Sequence, residues 1–523
     1  MNRRRAAVLA ATVLLAGGLR SSGRNPAAGQ GNPPEAAQIR KAERISDPAA
    51  RLKELERIKT AYPRTEQTAR LESGIREARI DLAASVESVV ALQKPVIGRG
   101  RGMIRMTGYV QAAARILDHP GLQAFDPRRV LAAVLDYRTG AERAATEAET
   151  FDATPDPEDR RPAVARMLRD FAILIARAQA NAGEGAKAVA ALEEFRASGG
   201  EAGPAFFDAS GDACAALGRI REAYGFYLSA AVESHPRAAE KAKAAYSALH
   251  GSAEGFETTL DGLRSALPFR PRPFSPPKRW RGKTVLLELF TNAENPACLA
   301  SDLAASALRE VYPERYLVVL EYHVPRPRPD PLMNAASAGR GEHYRITSTP
   351  AAVVDGGRRF FGGGTRSMAE SRFDQYRAEV DAWLTEEPDL KLKARAAGDG
   401  NRIAAEISSD RERPGSEHYV ALVQDRERLK GASGTIIHRL VVRDLVRVDP
   451  GRGGKAVFEL SAVERAAEAF LSETERAAGP EAGFAVADPR TRIDRDGLKI
   501  VYFVQDTGSK RILNAVVAEV EAP

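Results

Sequence analysis

The chain is poor in the residues that cross-link or anchor a fold. Only two cysteines, Cys214 and Cys298, occur in 523 residues. A chain of this length builds cores large enough to fold without disulfides. One bridge between the two is arithmetically allowed, but they fall in different segments and a bridge needs Cα atoms within about 7 Å. Two buried thiols are the favoured reading. Beyond the N-terminus no run approaches the roughly 18 apolar residues of a membrane span. Charge of one sign is also missing, since 77 Lys and Arg face 70 Asp and Glu. No basic block carries interleaved aromatics, so a nucleic-acid partner is not expected. Hydrolase signatures are absent too, with no His-Glu-x-x-His run, Ser/His/Asp set or paired-carboxylate pattern. Gly362-Gly363-Gly364 lacks the lysine and spacing of a phosphate loop.

The sequence opens with Arg3-Arg4-Arg5 and the short apolar run Ala6 to Leu19, followed by Gly/Pro-rich residues. That is the plan of a secretory signal, expected within residues 1–30, with an uncleaved N-terminal anchor as the alternative. Either reading puts the body outside the cytoplasm, in the periplasm, the cell envelope or the medium, and only the anchored form would meet a membrane.

Residues 36–266 are rich in Ala, Leu, Glu and Arg, all strong helix formers. One long helix is expected over Glu66 to Leu92, with interruptions at Pro95 to Arg105 and at Thr154-Pro155-Asp156-Pro157. Gly183, Ala188 and Leu192 recur as Gly218, Ala223 and Tyr227, 35 residues on. A period near 34 residues resembles tetratricopeptide repeats, in which paired helices stack and small residues allow close approach. Cys214 falls at a helix contact in this register.

Five prolines in residues 267–278 mark a linker that cannot continue a helix and favours an extended spacer. Residues 279–388 then read as strand (Lys283 to Thr291), helix (Leu299 to Val311), strand (Tyr316 to Tyr322), Thr349-Pro350, hairpin and helix. Residues 389–523 alternate like strands around one helix, Ala462 to Ala478, and predict a β-sandwich-like C-terminal domain. The fold class expected is multidomain: a helical repeat region, an α/β unit and a β-rich domain.

The middle segment resembles exported thioredoxin-like proteins, which carry Cys-x-x-Cys between the first strand and helix. In that family the first cysteine is activated at the helix N-terminus and the second resolves the mixed disulfide. Under the resemblance Asn295 takes the nucleophile position, Pro296 and Ala297 the two between, and Cys298 the resolving position. Pro350 becomes the cis-proline and Thr349 part of a substrate or partner groove. An amide cannot attack a disulfide, so the aligned motif excludes dithiol cycling. The resemblance therefore implies a protein- or peptide-binding scaffold using the helical repeats and the groove, with a role in redox homeostasis as a lesser expectation. The alternative is a monothiol oxidoreductase in which Cys298 is catalytic. His323 and His343 could approach Cys298 at the strand ends, but their spacing matches no metal pattern, and no metal or cofactor is expected. Arg326 and Arg328, among prolines, form a stiff basic loop.

Overall fold

The computed structural model describes residues 34–151, 157–233, 235, 237–449, 454–478, 486 and 488–521. The expected signal and most of the Thr154 to Pro157 break lie outside the described residues. No helix among those described is long and apolar enough to cross a membrane.

The first half is helical. The helices are α1 (Pro34–Glu43), α2 (Pro48–Ala61), α3 (Thr68–Asp81), α4 (Val86–Arg99), α5 (Gly102–Leu117) and α6 (Pro127–Phe151). There follow α7 (Pro157–Asn181), α8 (Gly185–Ala197), α9 (Pro204–Ala216), α10 (Ile220–Val232), α11 (Ala238–His250) and α12 (Phe256–Ser265). The single helix expected over Glu66 to Leu92 is two, because the Ser85 hydroxyl accepts from the Ser88 N–H and starts a new helix. Pro95 sits inside α4 rather than ending it. Gly183 (φ 76°) and Gly218 (φ 70°) occupy equivalent left-handed turns, after α7 and after α9. Gly211 on α9 is required by packing, since a Cβ there would lie 2.4 Å from the Tyr227 ring of α10. Cys214 is buried in the cluster formed by Ala223, Tyr227, Ala230 and Ala242.

The second half contains β1 (Val285–Thr291), α13 (Leu299–Val311), β2 (Leu317–His323), α14 (Ala335–His343), β3 (Ala351–Val354), β4 (Arg359–Phe361) and α15 (Ala369–Trp383). Next come β5 (Leu392–Asp399), β6 (Arg402–Ser409), β7 (Ser416–Gln424), β8 (Glu427–Arg428), β9 (Ile437–His438) and β10 (Val441–Val448). The chain closes with β11 (Lys455–Glu459), α16 (Leu460–Ala478), β12 (Leu498–Asp506) and β13 (Ile512–Glu521). β1 runs parallel to β2 and antiparallel to β3, and β3 forms a hairpin with β4. Both central strands are wholly buried, as their continuous apolar sequences require. Helices α13 and α15 cover one face through Leu308, Phe373, Tyr376 and Val380.

The C-terminal third departs from the expected separate sandwich. Its strands extend the middle sheet into one of eleven strands, ordered β11-β6-β5-β13-β12-β7-β10-β2-β1-β3-β4, while β8 and β9 pair alone. The junction is at β2, where Val441 stands opposite Glu321 and the Glu321 N–H donates to the Leu440 carbonyl. An uncovered β2 would present unpaired backbone groups, and β10 satisfies those at Glu321. Strands β5, β6 and β11 do fold over β7 and β12, sharing a core of Ile403, Phe458, Val420, Ile500 and Tyr502. Two layers therefore exist, but they are parts of one sheet. A further core joins Leu286, Phe290 and Tyr322 of the middle segment to Val423, Val442 and Phe503.

The proline-rich segment 267–278 is extended but not free. Phe269 lies against Phe373, and Phe274 against Tyr312 and Tyr316. The helical half is held by Arg366, whose guanidinium donates to the carbonyls of Leu263 and Arg264, and by Lys430 beside Asp261.

Candidate functional site

The segment between β1 and α13 is where the sequence places its chemistry. Asn295 caps a single 3-10 turn, Pro296–Cys298, by accepting from the Ala297 N–H at 3.2 Å. The Asn295 amide donates to the Thr349 carbonyl at 2.9 Å and to its hydroxyl at 3.0 Å. The Thr349–Pro350 peptide is cis, and Thr349 meets both Asn295 and the Cys298 thiol. Thr349 and Pro350 are buried, and the Thr349 hydroxyl donates onward to the Arg326 carbonyl. The Thr349 carbonyl and hydroxyl are thus both already engaged within the chain. The glycine run explains part of this closure. Gly364 N–H donates to the Ala297 carbonyl at 2.9 Å, and a Cβ on Gly363 would lie 1.8 Å from that oxygen. Only glycine lets the loop lie so close to the turn.

Cys298 is fully buried, and the two cysteines are both free. Burial, reinforced by the Asp302 carboxylate one helical turn on, pushes its thiol up to about 12. A reactive thiol needs the opposite environment, exposed and electropositive.

Beneath this turn lies a buried polar cluster that the sequence does not announce. Asp302 accepts from the Thr291 and Thr435 hydroxyls at 2.7 and 2.8 Å. Burial and the nearby Glu321 charge push it up to about 6. Glu321, at the C-terminal end of β2, accepts from Arg309 Nη1 at 2.8 Å and from the Arg439 backbone N–H at 3.2 Å. Burial works against its charge, but Arg309 and the two neighbouring histidines hold its carboxyl well below the usual range. His323 Nδ1 lies 2.9 Å from Asp330 Oδ2. Burial opposes the imidazolium, yet Asp330 and Glu321 outweigh it and hold His323 at about 10.

His438, on β9, completes the group. Glu321 Oε2 is 3.8 Å from His323 Nε2 and 3.6 Å from His438 Nδ1. The three side chains are buried, and their ligand-type atoms lie within 4.8 Å of one another. His323 therefore joins Glu321 and His438, not Cys298 and His343. His343 sits at the end of α14 against Tyr344, where burial and the Arg340 and Lys510 charges push it down. Arg326 of the basic loop is tied to the Ile346 carbonyl.

A second concave feature lies among the helices. A cleft of about 570 Å³ is bordered by Arg177, Asp208, Asp212, Tyr227, Arg237 and Lys241. Lys241 Nζ lies 2.8 Å from both Asp208 and Asp212.

No family model matches this chain, and no curated protein matches it either. Among solved structures, HBP35 of Porphyromonas gingivalis is similar over 46% of this chain and 76% of its own, at 11% identity and a TM-score of 0.29. A likeness of that size carries no argument about fold or function.

Proposed function

We propose that this chain is an exported binding protein built around a thioredoxin-like unit that has no redox dithiol, and that it holds a protein or peptide partner through its helical half. The observation that carries the reading is the engagement of Asn295 with Thr349 above a buried Cys298. A hydrogen-bonded amide stands where thiol chemistry would need a nucleophile, and the remaining thiol is held protonated. Support for the thioredoxin-like assignment comes from the strand order β2-β1-β3-β4 and from the cis Thr349–Pro350 peptide beside the turn. The paired helices with glycine turns 35 residues apart support the tetratricopeptide-like reading. Such stacks present concave faces to extended partners, and the open cleft at Arg177, Tyr227 and Lys241 is the favoured docking face over the closed groove at Thr349. Export rests on Arg3 to Leu19.

Reduction of a protein disulfide by the wild type beside Asn295→Cys tests the chemistry, and a peptide array probed with wild type and Lys241→Ala tests the docking face. The expected result is an inactive wild type, turnover by Asn295→Cys, and peptide signals that Lys241→Ala weakens at least tenfold. Wild-type turnover that Cys298→Ser abolishes would replace this reading with a monothiol oxidoreductase. Peptide signals that Lys241→Ala leaves intact would overturn the docking face alone.

A further inference from the structure

Two buried imidazoles and a carboxylate converge at the C-terminal end of β2 with ring nitrogens left over. His323 Nε2 and both ring nitrogens of His438 have no hydrogen-bond partner, although each residue is fully buried. Orphaned polar atoms in a core are costly, and native structures rarely keep several together without a bound group to satisfy them. Their separations from Glu321 Oε2, 3.8 and 3.6 Å, are too long for hydrogen bonds. They are close to what a shared ion imposes: ligand atoms about 2.1 Å from a tetrahedral zinc stand about 3.4 Å apart.

We propose that Glu321 Oε2, His323 Nε2 and His438 Nδ1 form a binding site for a divalent transition-metal ion, zinc foremost. The surroundings are built as such sites are. Asp330 receives the Nδ1–H of His323, which fixes the tautomer that turns Nε2 inward. Asp330 is itself held by the Ala293 and Leu332 N–H groups at 2.6 and 2.7 Å. The other oxygen of Glu321 is anchored by Arg309. The donor set, imidazole and carboxylate without thiolate, suits zinc and excludes Cys298 from the first coordination sphere.

The site also spans the chain. Glu321 and His323 come from β2, whereas His438 arrives on the short β8–β9 excursion that leaves the sheet between β7 and β10. A bound ion would therefore clamp that excursion onto the middle segment.

The test is the zinc content of the full chain, purified without chelator from cells grown with added Zn²⁺, together with its zinc-edge X-ray absorption spectrum. The expected result is about one zinc per chain with two imidazole ligands and oxygen, falling below a tenth in His438→Ala and unchanged in His343→Ala. A folded wild type with no zinc would overturn the proposal and leave a buried ion network. Sulfur in the zinc spectrum, or full zinc in a folded His438→Ala, would overturn this assignment of ligands. If His438→Ala does not fold, His438→Gln takes its place, and the wild-type stoichiometry and spectrum stand without either variant.

Discussion

Lys283 and Asp355 form an ion pair 2.7 Å apart with neither side chain reaching solvent. Lys283 Nζ also donates to the Ile512 carbonyl, and the Ile512 N–H donates to the Asp355 carbonyl, so the pair ties the middle segment to β13. Burial pushes Lys283 down and Asp355 up, against the charges each supplies to the other. Asp355→Asn leaves the ammonium buried without a counter-charge and should destabilise the protein by about 3–5 kcal/mol. Lys283→Met with Asp355→Leu should cost much less, because no unpaired charge is left behind. Urea unfolding of the three proteins measures both differences.

Cys298 should be silent to thiol reagents in the native state. With its thiol pushed up to about 12 and no solvent exposure, iodoacetamide at pH 8 should leave it unmodified for hours and alkylate it fully in denaturant. Mass spectrometry of the tryptic peptides reads the two states. Asn295→Ala should not unmask it, since Thr291, Thr349 and Asp302 still surround the thiol, but should cost about 1–2 kcal/mol by leaving the Thr349 carbonyl without its donor.

Acid should weaken the C-terminal strands through His418. Burial pushes this imidazole below its ordinary 6.5, only partly offset by Asp449, and its Nδ1 lies 2.6 Å from the Tyr502 hydroxyl. The folded state therefore binds this proton less tightly than the unfolded chain does. Its contribution is complete above pH 6.5 and lost as pH falls below that value. The difference in unfolding free energy between wild type and His418→Gln, followed from pH 8 to pH 5, should shrink on the acid side. A difference that stays flat would remove His418 from the account.

What could be read in the sequence is what neighbours along the chain decide. The run Val285 to Thr291 is apolar and β-branched over one strand length, and the helix Leu299 to Val311 begins and ends at its sequence-predicted residues. The hydrogen bonds of Asn295 to Thr349 join positions 54 residues apart and were not anticipated from the sequence. The helix break at Ser85 carried a signal, a serine before an apolar run, that the even composition around it masked. Helix α14 was missed because its nine residues are mostly small or polar, with two glycines and no apolar stripe. The meeting of His323 with His438, and of Glu321 with Val441, joins residues more than a hundred positions apart. Nothing local specifies either contact. Both depend on the C-terminal strands adding to the middle sheet, which an alternating pattern permits but does not select over a separate layer.

That shared sheet bears on how the molecule comes apart. A cut after Pro388 would look like a cut between domains, yet it would strip β10 from β2 and take away half of the core around Phe290 and Tyr322. Residues 285–521 should accordingly behave as one foldon, opening and closing together in hydrogen exchange, with the amides of β2 among the last to be replaced. The helical half meets that block mainly through surface ion pairs, the Arg366 contacts and the docked proline segment, and it is free to fray on its own schedule.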